Sequence, residues 1–331
     1  MQIVEIKAND AGQRLDKFLS KAFPALPQSM IYKGIRTKKI KLNRKRTEAS
    51  YILCIGDTLQ LFLAPELLLN DKAGQKDALA HIKPHFAVVY EDENLILCDK
   101  PSGLICHSDT PDDKDTLITH IKAYLFQKGE YDPEKENSFA PALCNRIDRN
   151  TAGIVIAAKN AEALRELNEL VKNRSLTKKY LCAVHGRMEK KSDLLTGFIK
   201  KDSESNLVKV YSKKPYSKDA KGADDIKSIS TKYRTIAEKN NLSLLEVELI
   251  TGRTHQIRAH LASIGHPLLG DGKYGINKED KKTGYKFQAL YSYSLKFDHG
   301  TLLSYLNGRT FKVDLKRIWF LREFEGESIR L

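Results

Sequence analysis

The sequence predicts an α+β protein: a mixed, largely antiparallel sheet domain preceded by a small αββ-type unit at the N-terminus. Three observations carry this. Stretches with strand spacing outnumber those with helical spacing and lack the regular strand–helix–strand alternation of a parallel sheet. The first ~65 residues hold a complete set of amphipathic elements, and the stretch 64–84 that follows shows no sustained periodicity. A length of 331 residues suggests roughly two domains of ordinary size. The expected division is 1–65, a linker at 66–84, and a main domain at 85–331.

In the first unit, Leu15, Phe18, Leu19 and Ala22 form one apolar stripe of a helix over 14–23. Pro24 and Pro27 interrupt, and a second short helix over 29–36 presents Met30, Ile31 and Ile35. Residues 40–42 alternate apolar with polar, Asn43 marks a turn, and strands are expected at 51–55 and 58–63. Eight of the fourteen residues from 33 to 46 are basic: Lys33, Arg36, Lys38, Lys39, Lys41, Arg44, Lys45 and Arg46. None of the fourteen is acidic. Such a run is either a solvated face or a phosphate-binding surface, and the missing acids favour phosphate.

In the main domain, 87–90 and 95–98 are apolar runs split by Glu91-Asp92-Glu93-Asn94, the pattern of a hairpin. Leu117, Ile121, Tyr124 and Leu125 mark a helix. Residues 153–158 read as a buried strand, after which Asn160 caps a helix carrying Leu164, Leu167, Leu170 and Val171. Another strand covers 178–184, and Leu245, Val247 and Leu249 alternate with Glu246 and Glu248 in a strand with one wet face. Ile257, Leu261 and Ile264 lie on a helix closed by Gly265 and followed by Pro267. The polar, basic stretch 200–232 reads as an exposed insertion between strands.

Composition narrows the class. With 41% hydrophobic and 30% charged residues the chain is globular, which excludes collagen-like and wholly disordered readings. A net charge of +14 favours a polyanionic partner, nucleic acid or an acidic membrane surface. No apolar run reaches membrane-span length, and the first ten residues lack a signal's basic region and apolar block. The five cysteines are widely spaced and never form C-x-x-C, which argues against a disulfide scaffold or zinc site and fits a reduced cytoplasm.

Two segments do not look like core filler. Arg146-Ile147-Asp148-Arg149-Asn150-Thr151-Ala152-Gly153 sets a carboxylate between two arginines before an apolar strand. Nearby cations favour the ionised form, so Asp148 suits a nucleophile or a structural ion pair. Thr251-Gly252-Arg253-Thr254-His255-Gln256-Ile257-Arg258 runs from a strand into a helix whose first turn is expected to carry Arg253, His255, Gln256 and Arg258. Cations at a helix N-terminus oppose its dipole, so an anion, phosphate or a buried carboxylate, is expected to meet them. His255 and His260 are five apart without H-E-x-x-H, so no metal site is expected.

Together these segments resemble the R-L-D-R-x-T-S-G and T-G-R-x-H-Q-I/L-R motifs of the RluA-type pseudouridine synthases. Gly270-Asp271 to Tyr274-Gly275 continues the second motif. Asp99-Lys100-Pro101-Ser102-Gly103-Leu104 with His107 is similar to the family's K-P-x-G segment, and Lys179-Tyr180 to its Lys-Tyr strand. Residues 12–19 and 40–43 resemble the S4 RNA-binding domain of the family's ribosomal large-subunit branch. The sequence departs at Asn145 (a His is common), Ile147 (Leu) and Ala152 (Ser), none of which removes the carboxylate.

The resemblance implies an RNA-modifying isomerase that breaks the N1–C1′ bond of uridine, rotates the base and joins C5 to C1′. It implies Asp148 as the catalytic aspartate, Arg258 as its partner, Tyr180 as the aromatic against the uracil, and Arg146 as a residue filling the gap left by a flipped nucleotide. Whether Asp148 attacks the sugar or the base, or takes a ribose proton, stays open. Lys33, Arg36, Lys38, Lys39, Lys41 and Arg44 are the expected RNA-binding residues, and large-subunit ribosomal RNA the expected partner. His107, His185, His255 and His266 are read as structural or RNA-contacting. No nucleotide-binding fingerprint or metal-ligand spacing occurs, so no cofactor is expected. Two alternatives remain: a non-catalytic S4-type RNA-binding or ribosome-assembly protein, and a glycosidase-type hydrolase. The hydrolase would need Asp99 or Asp271 as a second carboxylate opposite Asp148.

Overall fold

The computed structural model describes residues 1–108, 115–202, 207–215, 226–275 and 277–331. The N-terminal module consists of β1 (Gln2–Glu5), α1 (Leu15–Ala22), α2 (Gln28–Arg36), β2 (Ile40–Leu42) and β3 (Thr58–Leu61). Its antiparallel sheet has the order β1-β3-β2. Phe18 and Leu19 of α1 and Ile31 and Ile35 of α2 bury their side chains with Val4, Ile40, Leu59 and Leu61, giving the module its own core. Strand β1 was not expected, since only Val4 of its four residues is buried. The strand expected at 51–55 does not form; only Ile52 makes an isolated bridge, to Arg14. The backbone there runs beside 12–15 (Leu53 N donates to Gln13 O, Leu15 N to Tyr51 O) and then turns on Asp57, whose carboxylate accepts from Cys54 N.

Residues 66–84, expected as a plain linker, carry a 3-10 turn at Pro65–Leu68 and a helix, α3 (Lys72–His81), capped by Asp71. Only Leu79 of this helix is buried, which explains why no periodicity shows. Leu79 packs with Ile121 and Leu125 of α4 (Leu117–Gln127).

The main domain adds β4 (Ala87–Glu91), β5 (Leu95–Lys100), β6 (Ala142–Leu143), β7 (Ala152–Ala158), α5 (Ala161–Lys172), β8 (Leu176–His185), β9 (Ser192–Asp202) and β10 (Leu207–Tyr211). It continues with β11 (Ile226–Lys239), β12 (Leu242–Leu249), α6 (Gln256–Ser263), α7 (Asn277–Lys282), β13 (Leu290–Phe297) and β14 (Thr310–Lys312). The strand order is β10-β9-β11-β12-β8-β13-β7-β5-β4, with β14 beside β13 and β6 beside β7. Among these strands only β13 and β7 pair in parallel. The expected insertion at 200–232 is corrected here: apart from 212–215, its described parts are the end of β9, all of β10 and the start of β11. Polar residues on the wet face dilute the apolar signal of these strands. Positions 203–206 and 216–225 of that stretch lie outside the described residues.

Strands β5 and β7 are buried on both faces, hence their unbroken apolar runs. Leu95, Leu97, Ile154 and Ile156 pack with Leu167 and Leu170 of α5. On the opposite face Ile96, Cys98, Val155 and Ala157 meet Ile121 and Leu125 of α4. Farther along the sheet, Cys182, Val184, Leu245 and Val247 pack with Ile257 and Leu261 of α6. Burying one such large aliphatic side chain contributes roughly 1.5–3 kcal/mol. Ile147 touches both the α4 and the α6 cluster, so the loop before β7 joins two halves of the domain.

The N-terminal module is fastened to the main domain by polar contacts. Fully buried Asp10 accepts from Asn137 Nδ2 at 2.7 Å, Ser138 Oγ at 2.8 Å and Ser138 N at 3.2 Å. Asn9 accepts from Ala161 N, the first residue of α5, and Arg165 donates to Ala11 O. A buried carboxylate requires such donors.

Candidate active site

The loop ahead of β7 is tied down along its length. Asn145 Oδ1 accepts from Ile156 N at 2.8 Å, and Cys106 Sγ donates to Ile147 O. Arg149 O accepts from Gly103 N at 2.9 Å and from Lys100 Nζ at 3.0 Å. Thr151 Oγ1 accepts from Gln288 Nε2 at 2.8 Å. Gly153 closes the loop at φ 114°, where a Cβ would lie 2.2 Å from Ser292 O, so only glycine lets β7 and β13 approach. Lys100 is fully buried and also donates to Pro101 O and Leu104 O; burial brings its pKa down to about 8. The Lys-Pro segment noted in the sequence therefore acts as a staple beneath the loop.

This anchoring presents Asp148 to Arg258 of α6. Arg258 Nη1 donates to Asp148 Oδ2 at 2.9 Å, across 110 residues of sequence. The same guanidinium makes a fork with fully buried Asp271, Nε to Oδ2 at 2.7 Å and Nη2 to Oδ1 at 2.9 Å. Burial works against the Arg258 charge, and Asp271 and Asp148 more than offset it, raising its pKa above the ordinary arginine value. Asp271 is likewise held below the carboxylate range: burial pushes it up, but Arg258 and the Lys273 and Tyr274 amides prevail. The anion expected to meet cations near this helix is thus a pair of carboxylates.

The helix itself begins at Gln256, later than its expected first turn, and leaves Arg253 outside. Gln256 Oε1 accepts from Thr251 Oγ1 and Arg253 N and thereby shapes the preceding turn, while His255 stands before the helix at φ 54°. His255 Nε2 lies 3.9 Å from Asp148, and Nδ1 is 3.0 Å from the Tyr274 hydroxyl, which accepts from Val208 N. Burial depresses the imidazole pKa, with Asp148 opposing.

Asp148, Tyr180, Arg146 and Arg258 all line one cleft of about 870 Å³. Tyr180 is buried, and burial pushes its phenol up to about 12, so it stays neutral at ordinary pH. Arg146 is exposed and makes no hydrogen bond or ion pair among the described residues. Among the described residues, seven arginines and lysines line the cleft (Arg146, Arg149, Lys178, Lys201, Arg253, Arg258, Lys273) against one acid, Asp148. That imbalance selects a polyanion. A hydrolytic carboxylate pair is absent among the described lining residues, since Asp271 is held by Arg258 and Asp99 by Tyr291 and Arg317.

The residues expected to bind RNA through the basic run lie apart from these four and do not line the cleft. Lys33, Arg36, Lys38, Lys39 and Arg44 are exposed and Lys41 is half-buried; none forms an ion pair among the described residues. Sequence reasoning noted Lys100 and Tyr274 only as motif positions, weighed Asp271 only as a motif position and as a hydrolase's second carboxylate, and missed the roles of all three. It also missed Lys178, Lys201 and Lys273 on the cleft wall; Lys201 comes from a segment without a distinguishing pattern, and Lys273 sits inside the Gly270–Gly275 motif stretch without being singled out.

The chain matches the family described as RNA pseudouridylate synthase over residues 94–263 and the S4 domain over 13–59. It is 37% identical to an uncharacterised RNA pseudouridine synthase of Mycoplasma genitalium, covering 86% of either chain. It is 31% identical to ribosomal large subunit pseudouridine synthase C of Buchnera aphidicola, covering 89% of each, and 30% identical to that of Vibrio vulnificus, covering 90% of this chain and 89% of the relative. Among solved structures, human RNA pseudouridylate synthase domain containing 4 aligns with a TM-score of 0.57 at 18% identity, covering 78% of this chain and 99% of that one. That likeness is one of fold.

Proposed function

Because the chain belongs to the RNA pseudouridylate synthase family, we propose that it isomerises specific uridines of large-subunit ribosomal RNA, with Asp148 as the catalytic carboxylate. The enzyme is an RNA pseudouridine synthase, and RNA is its partner; that sets aside the non-catalytic S4-type alternative. The large-subunit assignment is supported by the likeness to the ribosomal large subunit pseudouridine synthases C of Buchnera and Vibrio.

The observation that carries the site reading is the 2.9 Å Arg258–Asp148 pair in a cleft whose other charged lining residues, among those described, are arginines and lysines. The cations bind the phosphates around the target, and Arg258 fixes the direction of the Asp148 carboxylate. A uridine leaves its stack at a cost of a few kcal/mol, and Arg146 occupies the space it vacates. The Tyr180 ring, neutral and fixed by its strand, supplies a flat face for the uracil while it turns. Asp148 acts on the nucleotide as the N1–C1′ bond breaks. C5 then joins C1′, the C5 proton is lost and N1 gains one, so the reaction balances without hydrolysis or redox change. Lys33, Arg36, Lys38, Lys39, Lys41 and Arg44 hold RNA at a distance from the cleft.

Protein-free large-subunit RNA incubated with the wild type and mapped by carbodiimide adducts should show discrete new pseudouridines, and Asp148→Asn should yield none. New pseudouridines with the Asn variant would remove Asp148 from the role. Modification confined to transfer RNA or small-subunit RNA would overturn the substrate.

A further inference from the structure

A second cavity, about 510 Å³, lies where the N-terminal module meets the main domain. Gln13 and Lys21 form its wall on one side; Lys122, Phe139 and Arg165 form it on the other. Among the described residues no aspartate or glutamate lines it. Lys122 rises from α4 into this wall, where burial depresses its pKa and no carboxylate opposes that effect. The Arg165 guanidinium rests against Gly12, and Lys21 Nζ reaches Gln13 Oε1 at 3.2 Å, so the cationic ends face a common space. His107 lines both this cavity and the Asp148 cleft. Burial lowers its pKa, and the charges of Arg146 and Lys122 add to that effect. His107 thus joins the cleft to the groove between the modules, and among the described residues the charged side chains lining that groove are cations.

We propose that this groove holds a single-stranded RNA segment flanking the target uridine, with its phosphodiester backbone on Lys21, Lys122 and Arg165 and a base against Phe139. The inference rests on the reading of the chain as an RNA-modifying enzyme and adds the course of the strand beyond the cleft. Cations beside an aromatic face are the recurring means of holding single strands without base readout. The site needs walls from both modules, and the buried Asp10 contacts keep those walls at a set distance. The basic run at 33–46 is a separate surface, as none of its residues lines the groove.

The test measures binding of the full chain by fluorescence anisotropy, without turnover. One probe is a hairpin with uridines in its loop; the other is the same hairpin with a ten-nucleotide single-stranded tail. The wild type should bind the tailed RNA about tenfold more tightly, and Lys21→Gln/Lys122→Gln should reduce this advantage to about twofold or less. The salt slope for the tailed RNA should fall by about 1.4, two single-strand phosphate contacts at ~0.7 each. Lys122→Arg should keep the advantage, separating charge from packing. 4-Thiouridine in the tail should crosslink within residues 138–142.

No advantage for the tailed RNA in the wild type, or an undiminished one in the double variant, would overturn the groove. So would displacement of the tail by a polyglutamate peptide at equal charge concentration, which would mark the groove as a site for acidic protein. Failure of ribosomal RNA modification would instead count against the function proposed above and leave these binding results standing.

Discussion

Replacing Arg258 with methionine removes one side chain from between two carboxylates, and the structure sets the size of the effect. Arg258 is 5% exposed and Asp271 not at all. Removing one partner of a buried ion pair costs roughly 3–5 kcal/mol. Asp271 would keep the Lys273 and Tyr274 amides, which places the expected loss at the lower end, about 3 kcal/mol at pH 7. The Asp148 arm adds little, since that side chain is 26% exposed and screened by solvent.

The pH dependence distinguishes this account from simple loss of packing. In the wild type Asp271 titrates below its unfolded value, so its contribution is complete above that value and lost only as pH falls through the lower folded pKa. In the variant the Arg258 charge no longer opposes burial, so the carboxyl pKa rises above its wild-type value. The variant is then penalised at neutral pH and relieved as the carboxyl protonates. The gap between the two proteins should shrink as pH falls from 7.5 toward 4.5, read from urea unfolding at each pH. Arg258→Lys, which keeps charge but not the fork, should fall between them. A deficit that is constant across this range, or below about 1 kcal/mol at pH 7, would refute the reasoning.

Asp148→Asn should lower pseudouridine formation by about 10⁴-fold or more while thermal unfolding stays near that of the wild type, as checked by adduct mapping and calorimetry. Tyr180→Phe should retain the fold, whereas Tyr180→Ala should lose about 3–5 kcal/mol in urea unfolding through the cavity it leaves. His260 is buried beside Thr231 and its pKa is brought down to about 4 by burial. Unfolded chains therefore bind a proton that the native protein refuses. Stability should fall as pH drops from 6.5 to 4, by about 3 kcal/mol from this group, and His260→Gln should flatten that limb. Asp10→Ala should release the N-terminal module, seen as faster protease cleavage between residues 61 and 87 with the main domain intact.

What could be read from the sequence follows the strength of the local physical signal. Strands β5 and β7 are unbroken apolar runs because both faces are covered, and they announce themselves. Asp148 stands out as an acid in an arginine-rich loop, yet its bond to Arg258 spans 110 residues and no local pattern predicts it; the family motifs did. Helix α3 hides because Leu79 alone is buried, and β9 to β11 hide because their outward residues are lysines and serines. Asp271 and Tyr274 could be quoted as motif letters, but their functions depend on how α6 meets the following turn. The groove between the modules exists only through tertiary docking.

The Asp148 loop has one further consequence. Its backbone is stapled by Lys100 and Gly103, its middle is pinned by Ile147 between two packed clusters, and its exit is closed by a glycine that tolerates no side chain. Such a segment has little freedom to reach outward, so in the function proposed above the nucleic acid does most of the deforming. The work of exposing a uridine is least in hairpin loops, bulges and strained junctions, where stacking is already weak. Discrimination among the many uridines of a long transcript then comes partly from the mechanics of the RNA. The immobile loop acts as a fixed anvil, and sites that yield cheaply are the ones that reach it.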